Sequence, residues 1–321
     1  MHDELRSAAA PRWRGTAGRL EVWYATLSDP LTHAGLWVHC ETVAPVAASG
    51  TPYAHGWVTW FPAPSTDGPP RTERFGPEPV RPATGDAWFD AAGVRAAPAE
   101  LTGRARSLGW RLSWRDAGPP LWTFPRVAWE RELLPGAQVV LAPTADFTGA
   151  LTVDGASHAI DGWRGGVAHI YGHGNANRWG WIHADLGDGA VVEAVTAVSH
   201  KPGLRRLAPM AFVRLRLDGK DWPASPLPSL RLRTTLGLPH WQLEGRIGGR
   251  QLLIRVDQPP QRCVSLQYTD PDGGQAVCTN TEQADIHVEL GDRRWSVLGS
   301  GHAEVGLRGD QAPAVNERTP R

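Results

Sequence analysis

Between Arg19 and Arg308 the chain is a succession of short alternating or apolar runs, each closed by Gly, Asp, Asn or Pro. Helical periodicity is almost absent, so the sequence reads as an all-β sandwich or barrel. Strand-like runs cover residues 19–27, 36–44 and 53–61. Residues 99–107 and 108–116 read as one hairpin, and residues 150–160 as another around Asp154-Gly155. In the second half, residues 178–186 turn at Gly187-Asp188-Gly189 into 190–199, and 210–218 turn near Asp218-Gly219. Residues 240–247 turn at Gly248-Gly249 into 251–258, 262–268 pair with 275–280, and 285–290 and 300–308 complete the set. A Pro-rich stretch, 62–84, reads as a surface loop, and the one short helix expected lies near Ala91–Ala97. The runs divide near residue 163. The expected organisation is an arm over 1–18, two antiparallel β domains side by side over 19–162 and 163–308, and a flexible tail over 309–321.

The stretch 168–186, AHIYGHGNANRWGWIHADL, carries the most chemistry. Trp179, Trp181, His183 and Asp185 share one parity there, which on a strand is one face. A face that packs only for stability usually shows Val, Ile or Leu. Two indoles, an imidazole and a carboxylate read instead as the wall of an aromatic pocket. A second wall is expected from Trp37, His39 and Glu41, and a third from Tyr53, His55, Trp57 and Thr59. Asp185 and Glu193 read as solvated or paired with Arg178.

Lys plus Arg and Asp plus Glu both number 33, so charge gives no reason to expect nucleic acid or an anionic surface as partner. Tryptophan stands out, with 16 Trp against 6 Phe and 4 Tyr, and an indole suits the wall of an apolar pocket. Cys40, Cys263 and Cys278 make no disulfide framework. Pairing Tyr268 with Gln275 would set Cys263 and Cys278 diagonally, so reduced thiols in a cytoplasmic protein are expected. No signal peptide and no apolar run of about 18 residues is present, so no transmembrane segment is expected. No Cys-x-x-Cys occurs, and glycines surround His173, so neither a metal nor another cofactor is expected.

The motif His169, Tyr171, Gly172, Ala176, Arg178, Trp179 and Trp181 resembles that of the AttH/CrtC superfamily of paired lipocalin-like domains. That group includes carotenoid 1,2-hydratases, the plant tocopherol cyclase and natural-product Diels–Alderases. Weaker echoes lie in residues 21–24, 35–39 and 149–155. The chain departs from the family pattern at Asn175, often His, and at Tyr171, often Trp. The resemblance implies two lipocalin-like barrels, and it marks His169 as a site residue.

Two functions follow from these residues. In the first, an apolar unsaturated molecule is hydrated, cyclised or isomerised without a cofactor. His169, Glu41 or His39 acts as the acid–base group, and Trp37, His55, Trp57, Tyr171, Asn175, Arg178, Trp179, Trp181 and His183 bind the substrate. In the second, the same walls carry a hydrophobic molecule unchanged. A monomer or weak dimer is expected in either case. If side chains filled the space between the halves, the chain would be a structural module instead.

Overall fold

A computed structural model describes residues 2–46, 50–66, 68–115, 118–201 and 203–309. Nearly every element is a strand. The first sheet holds β1 (Arg19–Ser28), β2 (Gly35–Ala44), β3 (Tyr53–Phe61), β4 (Arg71–Pro79), β5 (Phe89–Ala91) and β6 (Val94–Ala97). It continues with β7 (Glu100–Ala105), β8 (Leu108–Arg115), β9 (Leu121–Trp122), β10 (Gly136–Val153) and β11 (Ala156–Gly172). The second holds β12 (Arg178–Gly187), β13 (Ala190–Val198), β14 (Met210–Leu217), β15 (Lys220–Trp222) and β16 (Arg233–Thr235). It ends with β17 (His240–Ile247), β18 (Arg250–Asp257), β19 (Val264–Thr269), β20 (Gln275–Leu290) and β21 (Arg293–Arg308). The α-helices are α1 (His2–Ala9) and α2 (Arg126–Glu130). Among the described residues no helix is long and apolar enough to cross a membrane.

Both sheets follow one lipocalin-like plan. A four-stranded meander runs outward from the first strand, and that strand also pairs with the last: β4-β3-β2-β1-β11-β10 and β15-β14-β13-β12-β21-β20. All pairings are antiparallel; between the central strands they run Trp23↔His169 in the first sheet and His183↔His302 in the second. The first sheet curls back on itself, and side chains tie its edge strand β4 to the β7–β8 turn. The Glu73 carboxylate on β4 accepts from the Ser107 and Leu108 amides at 2.9 Å each.

Three departures from the sequence reading have local causes. The expected division at 162/163 falls inside β11, because Asp161-Gly162 is a bulge rather than a turn. Phe147 pairs with Trp163 and Thr148 with Asp161, which leaves Gly162 unpaired with φ +68°. Residues 91–97 form a hairpin through Ala92-Gly93, both at positive φ, instead of a helix. The 62–84 stretch contains β4, which tolerates Pro77 because it lies at a sheet edge. Beyond Gly309 the expected tail lies outside the described residues.

Alternation along the strands builds three cores. Trp23, Leu36, Val38 and Val139 fill the first sheet's hollow, and Ile182, Val192, Leu243 and Val288 fill the second's. The opposite faces of β1, β2 and β12 meet between the sheets, where Val22, Tyr24, Trp37, Trp57, Trp179 and Trp181 pack. These strands are covered on both faces, which is why β2 is buried along its whole length. The arm is ordered. Ala8 and Ala9 of α1 sit in the first core, and Trp23 Nε1 donates to the Ala9 carbonyl at 3.2 Å.

Candidate functional site

The apolar layer between the sheets is not solid. It holds a cavity of about 320 Å³, at the small end of the range for small-molecule sites. Leu20, Val22, Tyr24, Trp37, His39 and Glu41 line it from β1 and β2. Trp179 and Trp181 from β12, Val195, Ala197, Phe212, Tyr268 and Glu304 line it from the second sheet. The walls stand on strands, so backbone ladders set their spacing. Gly306 illustrates this. The Trp179 ring lies across it, and a Cβ there would meet the indole at about 2.0 Å.

Polar groups interrupt the apolar wall in two opposed places. On the first sheet, Glu41 Oε2 sits 3.4 Å from His39 Nε2 and 3.3 Å from His55 Nε2. Burial alone would raise the Glu41 carboxyl; the two imidazoles beside it outweigh burial and hold the carboxyl at about 2. Burial lowers His39, and His55 and Arg74 lower it further against the pull of Glu41. Glu41 is thus a carboxylate flanked by two imidazoles, of which His39 is held neutral by burial. His39 is itself stacked on Trp57, 3.9 Å between ring centres.

On the second sheet, burial pushes Glu304 above the usual carboxylate range, although it accepts from Trp179 Nε1 at 2.7 Å and lies 3.3 Å from Cys278 Sγ. The two carboxyls therefore differ in acidity because their surroundings differ. Burial raises the Tyr268 hydroxyl well above its ordinary value, and the neighbouring Cys278, Glu304 and Glu41 raise it further. Tyr24 is raised in the same way, by burial and then by Glu193, Glu304 and Glu282. Both phenols are therefore neutral donors at physiological pH.

Behind the wall, Glu193 is fully buried. It accepts from Trp181 Nε1 at 2.6 Å and from Gln138, and its other oxygen lies 2.9 Å from His183 Nδ1. This corrects the reading of Glu193 as solvated: the register pairs it with His183, not with Asp185. The network fixes the Trp181 ring. At the mouth, Asp270 accepts from the backbone and side-chain amides of Asn175, both at 2.8 Å, and burial raises its carboxyl to about 6.

Of the residues expected at the site, Trp37, His39, Glu41, Asn175, Trp179 and Trp181 line the cavity. His55, Trp57 and His183 stand behind it and orient those that do. His169 and Tyr171 do not reach it, which corrects their expected place. Their parity on β11 turns them into the first core, while Ala168 and Ile170 take the cavity side. His169 bridges the Glu21 carboxylate at 2.9 Å and the Ala8 carbonyl at 2.7 Å. Arg178 is exposed and also off the lining. Tyr24, Tyr268 and Glu304 were not foreseen. A signal for Glu304 existed: His302 and Glu304 share a parity in SGHAEVGLR, and the register sets them opposite His183 and Trp181.

The thiols of Cys40, Cys263 and Cys278 are free. The β19–β20 register is one residue from the one expected, with Leu266 opposite Cys278.

An acidic Glu41 gives a measurable consequence. Its carboxyl is depressed on folding, so it contributes stability above the unfolded value near 4.5, and that contribution fades as pH falls to about 2. In Glu41→Gln, urea melts between those limits should show a flatter pH dependence than in the parent. Equal slopes would mean that the imidazoles do not stabilise the charge.

A model of the tocopherol cyclase-like family matches residues 17–307. The uncharacterised protein Rv0493c of Mycobacterium tuberculosis (strain ATCC 25618 / H37Rv) is 79% identical over 320 residues, 100% of this chain and 96% of that one. Among solved structures, kievitone hydratase from Nectria haematococca superposes with a TM-score of 0.61 at 13% identity, covering 93% of this chain and 91% of that one. CghA superposes with a TM-score of 0.60 at 17% identity, covering 93% of each. At such identities the two structures establish the shared fold. The family model spans both sheets and every strand that walls the cavity, as the resemblance in residues 169–181 implied, and the chain belongs to the tocopherol cyclase-like family.

Proposed function

We propose that the chain is an enzyme that protonates an apolar unsaturated molecule held between its two sheets, leading to hydration or ring closure. The observation that carries this reading is the pair of buried carboxyls on one aromatic cavity, Glu304 made less acidic by burial and Glu41 held ionised. Environments that drive two carboxyls apart divide them into acid and charge stabiliser. Glu304 gives its proton to an alkene carbon, and the adjacent carbon becomes cationic. The Glu41 carboxylate and the faces of Trp37, Trp179 and Trp181 stabilise that charge, each indole by about 0.5–2 kcal/mol. Water, or a hydroxyl of the same molecule, then attacks the cation. The proton shed by that oxygen passes to the neutral imidazole of His39 and on to solvent, from which Glu304 is reprotonated. The net change is addition of H and O across the double bond.

The family's description as cyclase-like and the hydratase among its fold relatives are in keeping with this chemistry. The test is isotopic. Isoprenoid alkenes bound to the protein in deuterium oxide should gain one deuterium at carbon, read by mass spectrometry. Tight binding without deuterium transfer would leave a carrier and would remove the acid from the account.

A further inference from the structure

The segment around Leu204, residues 199–201 and 203–210, borders the cavity mouth and contains three cationic residues and no acidic one. Leu204, Leu207 and Met210 stand 42%, 56% and 45% exposed along it. Across the opening, the turn after α2 presents Leu133 at 62% exposure, and its neighbours Leu134 and Pro135 line the cavity together with Leu204. The two segments flank one opening, since Leu134 and Pro135 line the same cavity as Lys201 and Leu204. Glu132 itself is neutralised by Arg12 at 3.6 Å and Arg19 at 3.4 Å. The rim therefore combines protruding aliphatic side chains with the cations Lys201, Arg205 and Arg206.

Aliphatic tips set among cations are complementary to the headgroup boundary of an anionic bilayer. The leucines enter among acyl chains while ammonium and guanidinium groups meet phosphates. The position of the rim strengthens the match, because the cavity behind it has apolar walls. A ligand suited to those walls is poorly soluble and resides in lipid. We propose that this rim docks the protein on an anionic lipid surface, so that an apolar molecule passes between bilayer and cavity without crossing water. The proposal rests on the cavity taking an apolar molecule and is independent of the acid assigned to Glu304.

Sedimentation of the full chain with vesicles tests it without any substrate. Vesicles of phosphatidylcholine mixed with phosphatidylglycerol should carry the protein down, vesicles of phosphatidylcholine alone far less, and added salt should release it. Arg206→Gln should weaken partitioning about fivefold, and Arg205→Gln with Arg206→Gln roughly twenty-five-fold. Leu133→Ser with Leu207→Ser lies off the cavity lining and should also weaken partitioning, with an unchanged thermal melt showing that the fold is intact. Absence of the protein from anionic pellets, or pellets indifferent to all these variants, would overturn the proposal. So would an effect of the leucine variants on self-association alone, which would make the rim a contact between copies. Loss of deuterium transfer with vesicle binding retained would instead count against the acid and leave the rim standing.

Discussion

Replacing Glu304 by Gln should lower deuterium transfer to a bound alkene by about 10²–10⁴-fold while the alkene still binds. The amide keeps an acceptor for Trp179 Nε1, which now bonds the carboxyl at 2.7 Å, so the indole wall stays in place. What it lacks is an acidic proton. Wild-type transfer should also persist to higher pH than an ordinary carboxylic acid allows, because burial raises the Glu304 carboxyl. Parallel losses of affinity and transfer would show that Glu304 shapes the cavity and does not supply the proton.

Replacing His169 by Ala should destabilise the protein by about 3 kcal/mol and leave the cavity's affinity for its ligand unchanged. The imidazole is wholly buried and stacks on Trp23 at 4.6 Å. It joins β11 to the Glu21 carboxylate and to the carbonyl of Ala8. Its loss leaves a void in the first core and removes one hydrogen-bond partner from the buried Glu21 carboxyl. Loss of this anchor should also free α1, so amide exchange should rise first over residues 4–9. Urea melts give the free energy, and exchange gives the location. A stable variant that no longer binds ligand would place His169 at the cavity after all.

The contrast between these two residues shows what the sequence carried. Period-two alternation made the strands legible, and paired turn residues such as Asp154-Gly155 and Gly248-Gly249 fixed their ends, with positive φ at each. The same alternation brought Trp37, His39 and Glu41 correctly to one face. It failed where a face must be assigned across a change of sheet. His169 and Trp179 lie close in sequence, but residues 173–177 intervene between β11 and β12, and the two strands serve different sheets. Parity on one says nothing of the other. Glu304 and Tyr268 were hidden for a related reason. Each lies far along the chain from the motif, and only strand pairing brings them to it. The low acidity of Glu304 comes from burial, which a string of residues does not display.

Because alternate positions on rigid ladders carry the cavity's rings, exchanging Trp37, Trp179 or Trp181 for a shorter side chain enlarges the chamber without disturbing a single backbone bond. A lineage built this way can drift from one cargo to a bulkier one by isolated point changes. The same scaffold then supports divergent chemistries while its outline in space stays nearly constant.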